Sequence, residues 1–491
     1  MTTPMNAARL GARGLARLLG EWRPSDGRGL ADALTDRVRL LVLDGRLPLH
    51  TRVPAERELA AALGVSRTTV AATYEALRGA GVLHSRRGAG SWIQLRGGAT
   101  GATPFSPNTA DPDLHDLAHA ALPAPLEAVR SAAAAASEDL VAHLGGHGYD
   151  LLGLPTLRAA IAARFTARGL PTGPDQVLVT SGAQHAIALL LQVLTGPGDR
   201  VLVEHPSYPN ALDAVRARGA LPVAVPLAPG PDGTGELDLD LLSASVRDAA
   251  PRLAYLIPDF HNPTGALLDA PGRTRLVELA RRTGTTVVVD ETLAELGLDG
   301  PPPPPVAAHG GADSPLLITV GSASKVFWGG LRVGWIRAAA PVVRRLAAAR
   351  AAQDLGGPTL EQLVTVRLLA DVEALTAARR AELTAARDHL RGRLSESFPA
   401  WRPSRPTGGL SLWVELGAPV SSRLTVAARR HGVLLAAGPR FGLDGAFERY
   451  LRLPYTLRRD RMDETLRRLS SAWGELDRVP ADAGRQDQAV A

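Results

Sequence analysis

Apolar positions recur at helical spacing in two short blocks, Glu56 to Leu63 and Ser66 to about Gly79, with Gly64 between them. Glycine at that point supplies the left-handed residue that ends one helix, and Ser66 is a good N-cap for the next. The pattern therefore predicts a helix-turn-helix. Ahead of it, LADALTDRVRLLVLDGRL keeps a helical period and should pack behind the pair; after it, GVLHSRRGAGSWI reads as two extended pieces around Arg86, Arg87 and Gly88, as in a wing. Beyond the Gly/Thr/Pro-rich stretch RGGATGATPFSPNTA the pattern changes. Short apolar runs, VLVT (177–180), RVLVE (200–204), LAYLI (253–257), TTVVVD (285–290) and LITVG (317–321), alternate with Ala/Leu/Arg-rich helical segments. That alternation predicts an α/β fold whose mostly parallel sheet is covered on both faces, with ligands gathering beyond the carboxyl ends of the strands.

Composition sharpens this division. The 491 residues, 45% of them hydrophobic, suffice for two or three domains, and no apolar run approaches the roughly 20 residues that span a bilayer. The absence of cysteine excludes disulfides, thiolate zinc sites and cysteine nucleophiles. Residues 1–100 hold 15 arginines against 8 acidic residues, whereas residues 101–491 hold 40 basic and 41 acidic residues. The basic excess thus sits on the helix-turn-helix part, as expected of a polyanion-binding module joined to a near-neutral body. The second helix of such a motif offers its N-terminal side chains to the major groove, here Ser66, Arg67, Thr68 and Thr69. Residues 1–27 read as a basic arm with helical character, lacking the apolar core of a secretion signal. The tail from 479 is polar and small-residue-rich and is expected to be disordered.

Lys325 is the only lysine in the chain, which carries 54 arginines. A guanidinium keeps its proton, whereas a lysine amine can shed its charge in a low-dielectric site and attack a carbonyl. The strand ends surround this residue with suitable chemistry. VLVT runs into SGAQHAI, a helix start over Ser181, Gly182, Ala183 and Gln184 that is either a phosphate site or an ordinary small-residue turn. RVLVE leads to Tyr208, placed to stack on a planar ring, and LAYLI leads to Asn262 in HNPTG. TTVVVD ends in Asp290, a helix N-cap or the partner of a ring nitrogen; LITVG leads to Ser322, Ser324 and Lys325, with Arg332 seven positions on. A lysine, an acid for a pyridinium nitrogen and a nest of amides, hydroxyls and an arginine together make a site for pyridoxal 5'-phosphate.

Two resemblances follow from these motifs. The ERELA helix followed by GVSRTTV resembles the GntR family of winged-helix regulators over residues 28–95. This implies DNA contacts by Arg57, Ser66, Arg67, Thr68 and Thr69, with Arg86 and Gly88 in the wing. Many relatives have arginine where this chain has Ala71. Residues 112–478 resemble fold-type I aminotransferases: HNPTG, an aspartate 28 positions later, SxxK 35 after that, and the GLRVG arginine occur in order. By this resemblance Lys325 forms the Schiff base with pyridoxal phosphate, Asp290 pairs with the ring nitrogen, Asn262 bonds the ring hydroxyl and Tyr208 stacks on the ring. Ala183, Gln184, Ser322 and Arg332 hold the phosphate, Tyr149 reaches the phosphate of a partner subunit, and Arg452 in ERYLRLPY clamps a ligand carboxylate. Relatives usually carry a tyrosine two or three residues after the aspartate; this chain has Thr292 and Leu293 there, which alters the cofactor's electronics.

The combination resembles the MocR/GabR regulators. It implies a winged helix on a linker (96–111), an aminotransferase-like body with a smaller C-terminal α+β subdomain, and a head-to-tail homodimer in the cytoplasm at the nucleoid. An amino acid, an amine or the cofactor itself would be the signal and operator DNA the target. The rival reading is a working aminotransferase with an accessory DNA-binding domain.

Overall fold

The computed structural model describes residues 9–20, 22–23, 29–43, 46–47, 51–86, 90–94, 113–230 and 232–477. The expected linker and tail, and Arg87 and Gly88 of the wing, lie outside the described residues.

The head is built from helices Ala12–Leu19, Leu30–Leu43, Glu56–Leu63 and Arg67–Gly79 and a three-stranded antiparallel sheet, in which Gly90–Ile93 lies between Arg52–Val53 and Leu83–Arg86. Gly64 is left-handed (φ 62°, ψ 42°), and Ser66 Oγ accepts from Thr69 N at 3.0 Å, so both helix ends that make the sharp turn are satisfied locally. Leu15, Leu34, Leu41, Leu59, Val70 and Tyr74 form one core behind the reading helix.

The large domain carries a seven-stranded sheet in the order Val177–Thr180, Gly334–Arg337, Leu317–Ser322, Thr286–Asp290, Leu253–Leu256, Arg200–His205 and Leu221–Pro226. All neighbours are parallel except Gly334–Arg337, which runs against both of its own. Successive residues point to opposite faces, and both faces are covered. Val177, Val179, Leu202, Val287 and Val289 join one core, while Leu178, Val201, Val203, Val288 and Ile318 join the other. Two strands escape the apolar-run pattern. Leu221–Pro226 contains two prolines and is an edge strand, where a missing donor is tolerated. Gly334–Arg337 ends in a fully buried arginine whose Nε donates to Thr172 Oγ at 3.3 Å.

The small domain has five strands in the order Arg402–Pro403, Ser411–Glu415, Tyr450–Pro454, Val433–Ala437 and His115–Leu117, covered by helices Val372–Ser397, Ser421–Arg430 and Arg459–Asp477. It is not purely C-terminal. His115–Leu117 pairs in parallel with Val433–Leu435, so the first segment after the linker is part of this domain. The head packs against the small domain of its own chain, where helix Leu30–Leu43 meets helix Ser421–Arg430.

Candidate functional site

The carboxyl ends of the central strands open into a cavity of about 250 Å³ whose walls include Ala183, Gln184, Tyr208, Asn262, Asp290 and Lys325. Lys325 follows strand Leu317–Ser322 and faces the cavity, with Nζ donating to Ala120 O at 2.9 Å. It is half-buried, and this burial, together with the nearby Arg452 charge, lowers its pKa to about 8 against the opposing pull of Asp290. Asp290 ends the neighbouring strand and is 4% exposed. Burial raises its pKa, while hydrogen bonds from Tyr255 and Thr292 and the Lys325 charge oppose the rise. Its two oxygens are fixed separately: Tyr255 Oη donates to Oδ2 at 2.5 Å and Thr292 N donates to Oδ1 at 3.0 Å. Tyr255 was not foreseen from the sequence. Its side chain stands on the adjacent parallel strand, paired in register with Val288, and only that pairing brings it to the carboxylate. Leu293, one of the two residues in the usual tyrosine place, is buried in the core.

At the other end of the cavity, helix Ala183–Leu194 begins later than the SGAQ motif suggests. Gly182 is its N-cap at φ 84°, so Ala183 and Gln184 lie in its first turn while Ser181 precedes it. Arg332 Nη2 donates to Ser181 O at 3.1 Å, and Ser322 Oγ lies 2.8 Å from Ser324 Oγ. The backbone is drawn very close here. A Cβ on Gly182 would sit 2.7 Å from Arg332 Nη2, and one on Gly334 would sit 2.5 Å from Gly182 C. Gln184 Oε1 is buried with no hydrogen-bond partner among the described residues. Free helix amides, an arginine and two hydroxyls suit a phosphate, and the amine, the fixed carboxylate and the Tyr208 ring stand where an aldehyde, a ring nitrogen and a ring face would be met. The residues present fit pyridoxal 5'-phosphate. Among the described residues no group of three His, Asp or Glu side chains could hold a metal ion.

Tyr208 is the N-cap of helix Pro209–Ala217, and its Oη accepts from Asn210 Nδ2 at 3.1 Å. Arg452, from strand Tyr450–Pro454 of the small domain, stands beside Asn262 of the cavity wall. It is 5% exposed, its Nη2 donates to Ala118 O, its Nη1 lies 3.4 Å from Asn262 Oδ1, and its Cζ sits 5.0 Å over the Phe441 ring. Its Nε is buried without a partner among the described residues. Burial lowers its pKa to about 10, which leaves it charged at neutral pH.

Two groups of expected residues lie elsewhere. Tyr149 is 65% exposed and not among the cavity's lining residues. Arg57, Ser66, Arg67, Thr68 and Arg86 are on the surface of the head and Thr69 is half-buried; the Arg67 side chain is 73% exposed, 3.7 Å from Glu56. No helix among the described residues is long and apolar enough to cross a membrane.

Known proteins resemble each half and the whole. Residues 30–93 match the bacterial regulatory proteins of the gntR family, and residues 116–469 match aminotransferase class I and II. YisV, an HTH-type transcriptional regulator of Bacillus subtilis (strain 168), is 27% identical over 480 residues, 89% of this chain and 95% of its own. MocR of Rhizobium meliloti, a probable rhizopine catabolism regulatory protein, is 30% identical over 333 residues, 62% of this chain and 64% of its own. Among solved structures, LysN, the alpha-aminoadipate aminotransferase of Thermus thermophilus in complex with N-(5'-phosphopyridoxyl)-L-leucine, has 31% identity and a TM-score of 0.68. It covers 74% of this chain and 93% of its own.

Proposed function

The chain belongs to the aminotransferase class I and II family and carries a gntR-type DNA-binding domain, the MocR/GabR architecture, and on that premise we propose that it is a transcriptional regulator whose Lys325 site senses an amino acid, an amine or the cofactor. The family depends on pyridoxal 5'-phosphate. Residues 28–95 are assigned to the head, 96–111 to the linker and 112–478 to the body. The observation that carries the proposal is the sole lysine in a cavity with a fixed carboxylate, with the buried Arg452 beside the Asn262 wall, in a chain whose head exposes Ser66, Arg67 and Thr68.

Bound pyridoxal 5'-phosphate supplies an aldehyde that can be joined covalently to an amine and an electron-withdrawing ring. With a pKa of about 8, roughly a tenth of the Lys325 amine is neutral near pH 7, enough for a nucleophile. Asp290, held by Tyr255 and Thr292, keeps a proton at the ring nitrogen. Ala183 and Gln184 amides, Ser322 and Arg332 neutralise the phosphate, Asn262 donates to the ring hydroxyl, and Tyr208 covers one ring face. Arg452 takes the ligand carboxylate in a two-pronged bond in place of Ala118 O. On the DNA side Arg67, Thr68 and Thr69 meet bases or phosphates, with Arg57, Arg86 and Gly88 at the backbone, and Ser66 caps the reading helix. The working form is a homodimer on two half-sites in the cytoplasm at the nucleoid, with Tyr149 reaching the partner's cofactor phosphate.

Borohydride trapping of the cofactor followed by peptide mapping tests the site, because Lys325 is the only side-chain amine. Label on Lys325, absent in Lys325→Ala, together with amine-dependent DNA binding, is the expected result; no label there overturns it. A second reading, turnover as an aminotransferase, is favoured by the presence of Lys325 and Asp290 in one cavity with Arg452 beside its Asn262 wall. Sustained conversion of amino acid and 2-oxo acid pairs, insensitive to DNA, would select it.

A further inference from the structure

The head is fastened to the small domain by an ionic contact between a buried arginine and a half-buried glutamate. Arg37, in helix Leu30–Leu43, is 3% exposed; its Nη1 donates to Glu448 Oε1 at 2.7 Å and to Ser422 Oγ at 3.1 Å, and its Nε donates to Leu19 O at 2.9 Å. Ser422 in turn donates from Oγ and from its backbone N to the Glu448 carboxylate, at 2.5 and 3.0 Å. Beside this contact Gly20, at φ 58°, lies so close to the small domain that a Cβ there would overlap the Asp444 carbonyl oxygen. Separating a guanidinium this buried from the Glu448 carboxylate is unfavourable, which ties the head to the 444–448 segment.

The same segment leads into the ligand site. Glu448 lies four positions before Arg452. Within the connection 438–449, Phe441 supports the Arg452 guanidinium at 5.0 Å, its carbonyl accepts from Ser207 N at 2.8 Å, and Leu443 N donates to His205 Nε2 at 3.0 Å. Arg440 Nη2 donates to Asp213 Oδ2 at 2.5 Å. One loop therefore touches the carboxylate grip, the turn that carries Tyr208 and the seat of the DNA-binding head.

We propose that Arg37, Ser422 and Glu448 form a latch that makes the head ride on the small domain, so that occupancy at Arg452 reaches the DNA-binding helices through the 438–449 connection and not through the linker alone. This rests on the reading of the protein as a ligand-sensing regulator. Closely packed contacts of this kind switch between discrete positions rather than deform continuously. The latched head leaves Ser66, Arg67 and Thr68 exposed, so the latch transmits a signal without masking the DNA surface.

The test uses the full chain loaded with pyridoxal phosphate and aminooxyacetate as probe. Its aminooxy group condenses with the cofactor aldehyde, displacing the Lys325 amine, and its carboxylate is open to Arg452. Three signals are followed: cofactor absorption, amide hydrogen exchange in Leu30–Leu43, and affinity for a duplex selected by the protein from a random-sequence pool. In the wild type the probe should change all three, the affinity by about 5- to 150-fold, the ordinary range of allosteric coupling. In Glu448→Ala the absorption change and the probe-free DNA affinity should persist while the other two responses vanish, and Glu448→Gln, which keeps an acceptor for Arg37 and for Ser422 N, should retain part of them. Ser422→Ala, which keeps the ion pair, should give an intermediate response and guards against loss of folding in the harsher variant. A full exchange and affinity response in Glu448→Ala overturns the latch. A wild-type chain that takes the probe and transmits it to Leu30–Leu43 but binds no duplex keeps the latch and refutes the regulator; failure to take the probe overturns both.

Discussion

Replacing Lys325 with methionine should make the cofactor-free protein more stable near neutral pH, although it destroys the site. In the folded chain the amine's pKa falls from 10.5 to about 8, a difference of about 2.5 units, or about 3 kcal/mol of unfavourable charging at about 1.4 kcal/mol per unit. The sign follows from proton counts. Below about pH 8 both folded and unfolded chains carry the ammonium, and the full cost of burying it is present. Between about pH 8 and 10.5 the unfolded chain binds more protons than the folded one, so wild-type stability rises with pH. Above that range the folded amine is neutral and the cost is gone. Methionine fills similar volume without charge, but the variant forfeits the hydrogen bond to Ala120 O, about 1 kcal/mol, and leaves Asp290 without a favourable neighbour. A net gain of about 2 kcal/mol is expected at about pH 7, shrinking toward zero or below at about pH 10.5. Urea unfolding of both cofactor-free proteins, followed by the aminotransferase-like domain's tryptophans, measures it; Lys325→Met/Asp290→Asn separates the loss at Asp290. Equal stabilities at pH 7, or an advantage that does not shrink with pH, would refute the claim that this amine is strained by burial.

Three further outcomes follow. Tyr255→Phe removes a hydrogen bond to a buried carboxylate worth about 1.5–3 kcal/mol, so the Asp290 pKa should rise further. A pH titration of bound-cofactor absorbance reads this as a displaced transition, and an unchanged titration would mean that Tyr255 only packs. Arg452→Ala should weaken carboxylate-bearing amines by about 30-fold or more, the cost of truncating a buried charged partner, while leaving hydroxylamine, which has no carboxylate, unaffected; equal losses for both would show a general collapse of the cavity. Arg67→Ala should weaken DNA binding and lower the slope of log affinity against log salt by about one if Arg67 neutralises a phosphate, and an unchanged slope would assign it to base reading instead.

What the sequence determined by itself is the part governed by neighbours along the chain. The turn between Glu56–Leu63 and Arg67–Gly79 is written in Gly64 and Ser66 because their partners lie within four residues. The strand ends were legible for the same reason: an apolar run stops where the chain leaves the core, and Asp290, Asn262 and Lys325 stand at such stops. Tertiary structure alone decided the rest. Tyr255 finds Asp290 because two parallel strands pair in register, and Leu293 turns into the core. Arg452 meets Asn262 across 190 positions and Arg37 meets Glu448 across 411. In a chain with 54 arginines, Arg452 is set apart locally only by its motif ERYLRLPY and Arg37 by nothing, because what distinguishes Arg37 is burial beside an acceptor from a distant segment. The edge strand Leu221–Pro226 and the strand Gly334–Arg337 were hidden likewise, since prolines are tolerated where a sheet edge needs no donor and a buried arginine where a distant loop supplies its acceptors.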